Sequence, residues 1–173
     1  TEWSAKLGGD RERLYIWDYP CFPGFYTAAP VLYPRQKQEF LQRYRDRIAG
    51  EYLNSRGQTP QEAHWFLDYW FRLLWNPELD FDAYLEDYAR KFYGPAAEPM
   101  ERFFRLLVDR YENTEWSENA QIYDAGIYGG LYGETYTPEV IEQLRGLFQE
   151  AMVAVSAADD RQSFEGTPGG RFV

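Results

Sequence analysis

Two carboxylates stand in the two segments of this chain that read as strands. Asp18 lies in Arg13–Tyr19 (RLYIWDY), and Glu51 lies in Arg47–Asn54 (RIAGEYLN). A pair of carboxyl groups flanking a bond is the usual equipment for hydrolysing a glycosidic linkage. An Asp inside an otherwise apolar strand is costly to bury unless it is paired or used. Asp18 is therefore the first candidate for a catalytic or substrate contact, with a structural hydrogen bond to a neighbouring strand as the competing use. Strand alternation puts Ile48, Gly50, Tyr52 and Asn54 on one face and Ala49, Glu51 and Leu53 on the other. If the first set lines a site, Glu51 turns toward the helices and is the weaker catalytic candidate, while Asn54 reaches the mouth. Trp17, Tyr19, Tyr26, Tyr52 and Trp65 offer flat rings on which the C–H faces of sugars stack, although large rings also simply fill cores. His64, the single histidine, sits where a helix begins and either faces a substrate or joins a polar seam with Asp68 and Arg72.

Other chemistries lack their residues. With one cysteine, Cys21, the chain has no internal disulfide, and Cys21 reads as a small packed residue. One His and one Cys provide no common zinc ligand set, and Ser-His-Asp or Cys-His catalysis would rest on His64 alone. The segment AGIYGGLYGE lacks the following lysine of a phosphate-binding loop. No cofactor is expected. A net charge of −10 repels phosphate backbones and argues against nucleic-acid binding. No stretch reads as a membrane span or signal peptide. The sequence does not fix a compartment, and a secreted or periplasmic parent is the expectation.

The elements that must position these residues alternate. The first strand runs into a long loop punctuated by Pro20, Pro23, Gly24 and Pro30. A helix over Arg35–Asp46, with Phe40, Leu41 and Tyr44 on one face, leads to the second strand. This is the grammar of a parallel sheet or barrel. Thr59-Pro60-Gln61-Glu62 then reads as a capping box with proline at the first helical position. The helix it starts, ending at Trp75, is apolar nearly all round, so it is expected to be the most buried. Asp80 caps a further helix bearing Phe81, Tyr84, Leu85, Tyr88 and Phe92, which Gly94 ends. Another runs from Ala96 to Tyr111 with Met100, Phe103, Phe104, Leu107 and Tyr111 inward. A last one starts at Thr137-Pro138, with Ile141, Leu144, Phe148, Ala151, Met152 and Val155 inward. Between these two lies Thr114–Tyr136, a glycine- and tyrosine-rich loop that either covers helix surface or reaches a ligand.

The string Leu73-Leu74-Trp75-Asn76-Pro77, then Asp80-Phe81-Asp82, then Phe92-Tyr93-Gly94-Pro95-Ala96-Ala97 resembles the glycoside-hydrolase-like "domain of unknown function 4838" family, relatives of alpha-glucuronidases. The resemblance runs over residues 12 to 155. It implies carbohydrate chemistry on a TIM-like barrel, whose reacting groups sit at the C-terminal ends of strands. Members of that family carry a Glu near the end of the second strand, where this chain has Asn54; Asn54 would hold a hydroxyl rather than transfer a proton.

The resulting expectation is an α/β chain passing into a mostly α one: the last two β/α units of a TIM-like (β/α)8 barrel over residues 1–58, an α-helical extension over 59–157 whose first helix closes the barrel, and a loose tail over 158–173. Two strands cannot close a barrel, so the remaining barrel portion of the same protein is an expected partner, and the start TEWSAKLGGD reads as an interior cut. The expected function is that of a fragment of a carbohydrate-active protein, a glycoside hydrolase acting on an oligo- or polysaccharide and inactive alone. The alternative is a non-catalytic helical module for packing or for binding a glycan or protein.

Overall fold

The computed structural model describes residues 2–8, 14–18, 30–53, 60–114 and 131–165. Among these, a short helix α1 (Glu2–Lys6) precedes strand β1 (Tyr15–Asp18). Helix α2 (Pro34–Tyr44), strand β2 (Gly50–Leu53) and helices α3 (Pro60–Trp75), α4 (Phe81–Tyr93), α5 (Ala97–Glu112) and α6 (Pro138–Glu165) follow. The described chain is mostly helical, with one small sheet. β1 and β2 are adjacent and parallel, in the register Tyr15↔Gly50, Ile16↔Glu51, Trp17↔Tyr52 and Asp18↔Leu53. Parallel neighbours need a crossover, and α2 lies in it. Both strands are shorter than the sequence pattern predicts. Arg45–Arg47 form a turn rather than the start of β2, and the ladder takes over where the Ala49 N–H donates to the Leu14 carbonyl at 2.8 Å.

Helix α2 receives its N-terminal cap from far along the chain. Pro34 occupies the first turn and Tyr33 offers no side-chain cap. Instead Glu112, at the end of α5, accepts from the Arg35 and Gln36 N–H groups at 2.8 and 3.1 Å. Its other oxygen accepts from Arg35 Nη1 at 3.1 Å. Burial pushes the Glu112 carboxyl up, against the pull of these donors.

Helix α3 is the spine of the core. Trp65, Phe66, Tyr69, Trp70 and Leu73 are sealed, in one core cluster with Val31, Leu32, Leu41, Phe81, Leu85, Phe104 and Val108. The apolar sequence does not, however, bury the helix all round: Phe71, Leu74 and Trp75 are exposed. Asn76-Pro77 stops α3, because Pro77 cannot donate to the carbonyl four residues back. Asp80 caps α4 by accepting from the Ala83 N–H at 2.7 Å, a bond worth about 1 kcal/mol. Gly94, at φ +52°, ends α4, and a 3₁₀ turn (Gly94–Ala96) leads straight into α5.

Helix α6 departs from expectation twice. It runs on to Glu165, so residues 158–165 are helical rather than loose; the sequence holds no Gly or Pro between Gly146 and Gly166 to stop it. The buried stripe is Val140, Leu147 and Ala151, with Leu144 partly buried beside them, while Ile141, Phe148, Met152 and Val155 are exposed. Two apolar stripes run side by side on this helix, and contact with α5 selects the one containing small Ala151. No helix among the described residues is long and apolar enough to cross a membrane. A TIM barrel would need more strands than the two described.

Candidate functional site

The pleat sorts the strand residues into two sets. Ile16, Asp18, Glu51 and Leu53 turn toward the helices. Tyr15, Trp17 and Tyr52 stand on the open face, with Trp17 62% and Tyr52 57% exposed. The Trp17 and Tyr52 rings, opposite each other in register, lie 4.8 Å apart between centroids and tilted by 58°. Together they make one aromatic surface beside the C-terminal ends of both strands.

On the helix side, one lysine gathers both carboxylates. Lys37, on α2, has its side chain only 3% exposed and donates to Asp18 Oδ2 at 3.0 Å and to Glu51 Oε1 at 2.5 Å. Trp70 Nε1 on α3 donates to the second Glu51 oxygen at 2.6 Å. The Lys37 ammonium also lies 4.1 Å from the centroid of the Trp70 ring, a favourable cation–π arrangement. Glu51 is fully enclosed, whereas the Asp18 side chain keeps 31% of its surface. With both oxygens engaged, Glu51 serves to fasten β2 to α2 and α3, as strand alternation anticipates. Asp18, at the last position of β1, is fastened by the same lysine and still meets solvent. The sequence reading missed Lys37. Its signal was present: Lys37, Phe40, Leu41 and Tyr44 fall on one helical face, and a lysine on an apolar face needs a buried partner.

The remaining candidates separate. Trp65 is completely buried and packs on Phe66, Phe81 and Phe104, so it shows no face to a ligand. His64 faces α4 rather than the sheet: its ring meets Phe92 edge-on at 4.8 Å and its Nδ1 lies 3.2 Å from the Tyr88 hydroxyl. Asp68, one turn on, accepts from Arg72 and from the Tyr84 hydroxyl, each at 2.8 Å. The seam of His64, Asp68 and Arg72 thus joins α3 to α4. Tyr19, Tyr26, Asn54 and Cys21 lie outside the described residues, as does most of the segment 114–136. Among the described residues no three His, Cys, Asp or Glu side chains are grouped so as to hold a metal ion.

A family model described as a domain of unknown function, DUF4838, matches residues 6–105. The chain belongs to the DUF4838 family. The match takes in both strands, the Lys37 cluster and helices α2 to α4, so the sheet and its fastening are DUF4838 structure, while α6 lies beyond it. No curated protein and no solved structure matches this DUF4838 chain.

Burial lowers the His64 pKa, which gives a pH dependence with a definite sign. The unfolded chain binds a proton at His64 at pH values where the folded chain does not. Folding is unpenalised above the ordinary histidine range and loses stability as pH falls through it. Wild type should therefore lose more stability than His64→Gln between about pH 7.5 and about pH 5.5 in urea unfolding. Equal losses would mean that His64 titrates alike in both states.

Proposed function

We propose that this chain belongs to a carbohydrate-active protein, a glycoside hydrolase acting on an oligo- or polysaccharide, and that sugar is held on the open face of the β1–β2 sheet. The observation that carries the reading is the Trp17–Tyr52 surface. Two exposed rings stand in register at the C-terminal ends of parallel strands, where open α/β sheets and barrels bind their ligands. An exposed aromatic ring matches the C–H face of a pyranose. The parallel strands with α2 in their crossover are what the closing units of a TIM-like barrel would contribute, the other strands coming from beyond these residues.

In this reading Asp18, which turns to the helix side of the sheet but stands at the last position of β1 with 31% of its side chain exposed, is the acid/base or hydroxyl-binding residue and meets a sugar only around the strand end. Glu51 does not supply the second carboxylate, because both its oxygens are occupied and no substrate can reach it. That group would lie outside the described residues.

The test is titration of the protein that carries this chain with cellohexaose, xylohexaose and mannohexaose. Trp17→Ala and Tyr52→Ala should each weaken binding at least about tenfold. Asp18→Asn should lower turnover by at least about 10²-fold if Asp18 transfers a proton, or chiefly raise KM if it holds a hydroxyl. Wild-type affinity in both aromatic variants would remove the sheet face from the reading.

A further inference from the structure

A second concavity lies away from the Trp17–Tyr52 surface, between the C-terminal ends of α2 and α3. It has a volume of ≈ 330 Å³, at the small end of ligand-binding clefts. Its floor is apolar: Leu41, Ile48 and Leu73 are buried. Its rim carries Arg45, Asp46 and Trp75. Trp75 belongs to the Leu73-Leu74-Trp75-Asn76-Pro77 string, which the sheet-face site leaves unexplained.

Three features are unlike ordinary surface. Trp75 is 92% exposed, so its large indole face is offered to solvent immediately beside a hollow. A lone exposed apolar residue needs no explanation, but Trp75 borders a hollow lined by Leu41, Ile48, Leu73 and Leu74. Arg45 and Asp46 line the rim and Glu78 pairs with Arg45, so one cation meets two carboxylates, which disfavours an anionic ligand. Arg45 Nη1 is held by Glu78 at 3.1 Å, and a guanidinium has further N–H groups to donate.

Asp46 stands on the turn after α2 and brings acceptor oxygens to the same rim. The combination is an aromatic plane, an apolar floor, and a donor beside an acceptor. It fits a ligand with one C–H face and an edge of neutral hydroxyls.

We propose that this concavity is a second saccharide-binding site, taking a neutral pyranose unit against Trp75 with its hydroxyls on Asp46 and Arg45. The proposal takes its class of ligand from the carbohydrate reading above, but its geometry is independent of Trp17 and Tyr52. The site adds grip on a chain-like substrate and performs no bond chemistry.

The experiment compares wild type, Trp75→Ala, Asp46→Asn and the double variant Trp17→Ala/Tyr52→Ala. Each is checked for native near-ultraviolet circular dichroism and titrated calorimetrically with cellohexaose, xylohexaose and mannohexaose. The expected result is that Trp75→Ala and Asp46→Asn each weaken binding of at least one hexasaccharide at least about tenfold, and that the double variant retains a Trp75-dependent binding event. If Trp75→Ala and Asp46→Asn match wild type while the double variant loses binding, the second site is overturned and the sheet-face reading stands. If the double variant matches wild type while Trp75→Ala loses binding, the sheet face falls and the second site stands. No binding of any of the three sugars at about 10 mM, well above a Kd of about 1 mM, overturns both.

Discussion

Lys37→Met should cost about 3–5 kcal/mol of folding stability, because removing one partner of a buried ion pair leaves the other charge uncompensated. Lys37 is held between Asp18 and Glu51. When the ammonium goes, the Asp18 side chain, 31% exposed, still meets water. Glu51 does not, since its side chain is completely enclosed. Methionine fills most of the lysine stem's volume, so the loss reports charge rather than a cavity. The measurement is a urea midpoint at unchanged slope. A second variant separates charge from shape: Lys37→Met/Glu51→Gln removes the stranded carboxylate but keeps an amide oxygen for Trp70 Nε1. It should recover a substantial part of the loss. A cost below about 1 kcal/mol for Lys37→Met, the range of an exposed ion pair, would mean that water screens the cluster.

Trp70→Ala should be of similar size, about 3–5 kcal/mol for the emptied volume alone. Trp70 has no exposed surface, and its ring packs against Tyr33 and Phe66 at centroid distances of 5.9 and 5.4 Å. It also donates to Glu51, so the same substitution leaves a buried carboxylate oxygen without that donor. The neighbouring Trp65 gives the internal control. It is equally buried, yet its indole N–H has no hydrogen-bond partner among the described residues. Trp65→Phe therefore discards an unsatisfied donor, whereas Trp70→Phe breaks a bond to a charged group. The Trp70→Phe variant should be the less stable of the two by about 1–3 kcal/mol. Thermal or urea unfolding of both decides it, and equal stabilities would show that the Trp70–Glu51 bond contributes nothing net.

Much of this architecture was written in local sequence. Asp80 before an apolar period, Gly94 after it and Pro77 after Trp75 act within a turn of the backbone they punctuate, so the end of α3, both ends of α4 and the start of α5 follow from neighbours in the chain. Strand alternation likewise put Glu51 on the face opposite Tyr52, because side-chain direction in a strand depends only on residue parity.

What the sequence could not supply depends on elements distant in the chain. The cap on α2 comes from Glu112, 77 residues beyond Arg35, and no local pattern announces it. Helix α6 offers two apolar stripes, and only packing against α5 decided which was buried. Asp18 looked like an isolated acid in a strand; tertiary structure gave it a buried lysine shared with Glu51. The exposed aromatic pair exists only because the parallel register sets Trp17 opposite Tyr52, and the hollow beside Trp75 exists only because two helix ends meet. Local rules specify where elements begin, end and point. Which faces meet is settled by global burial, where polar groups must find partners wherever the chain brings them.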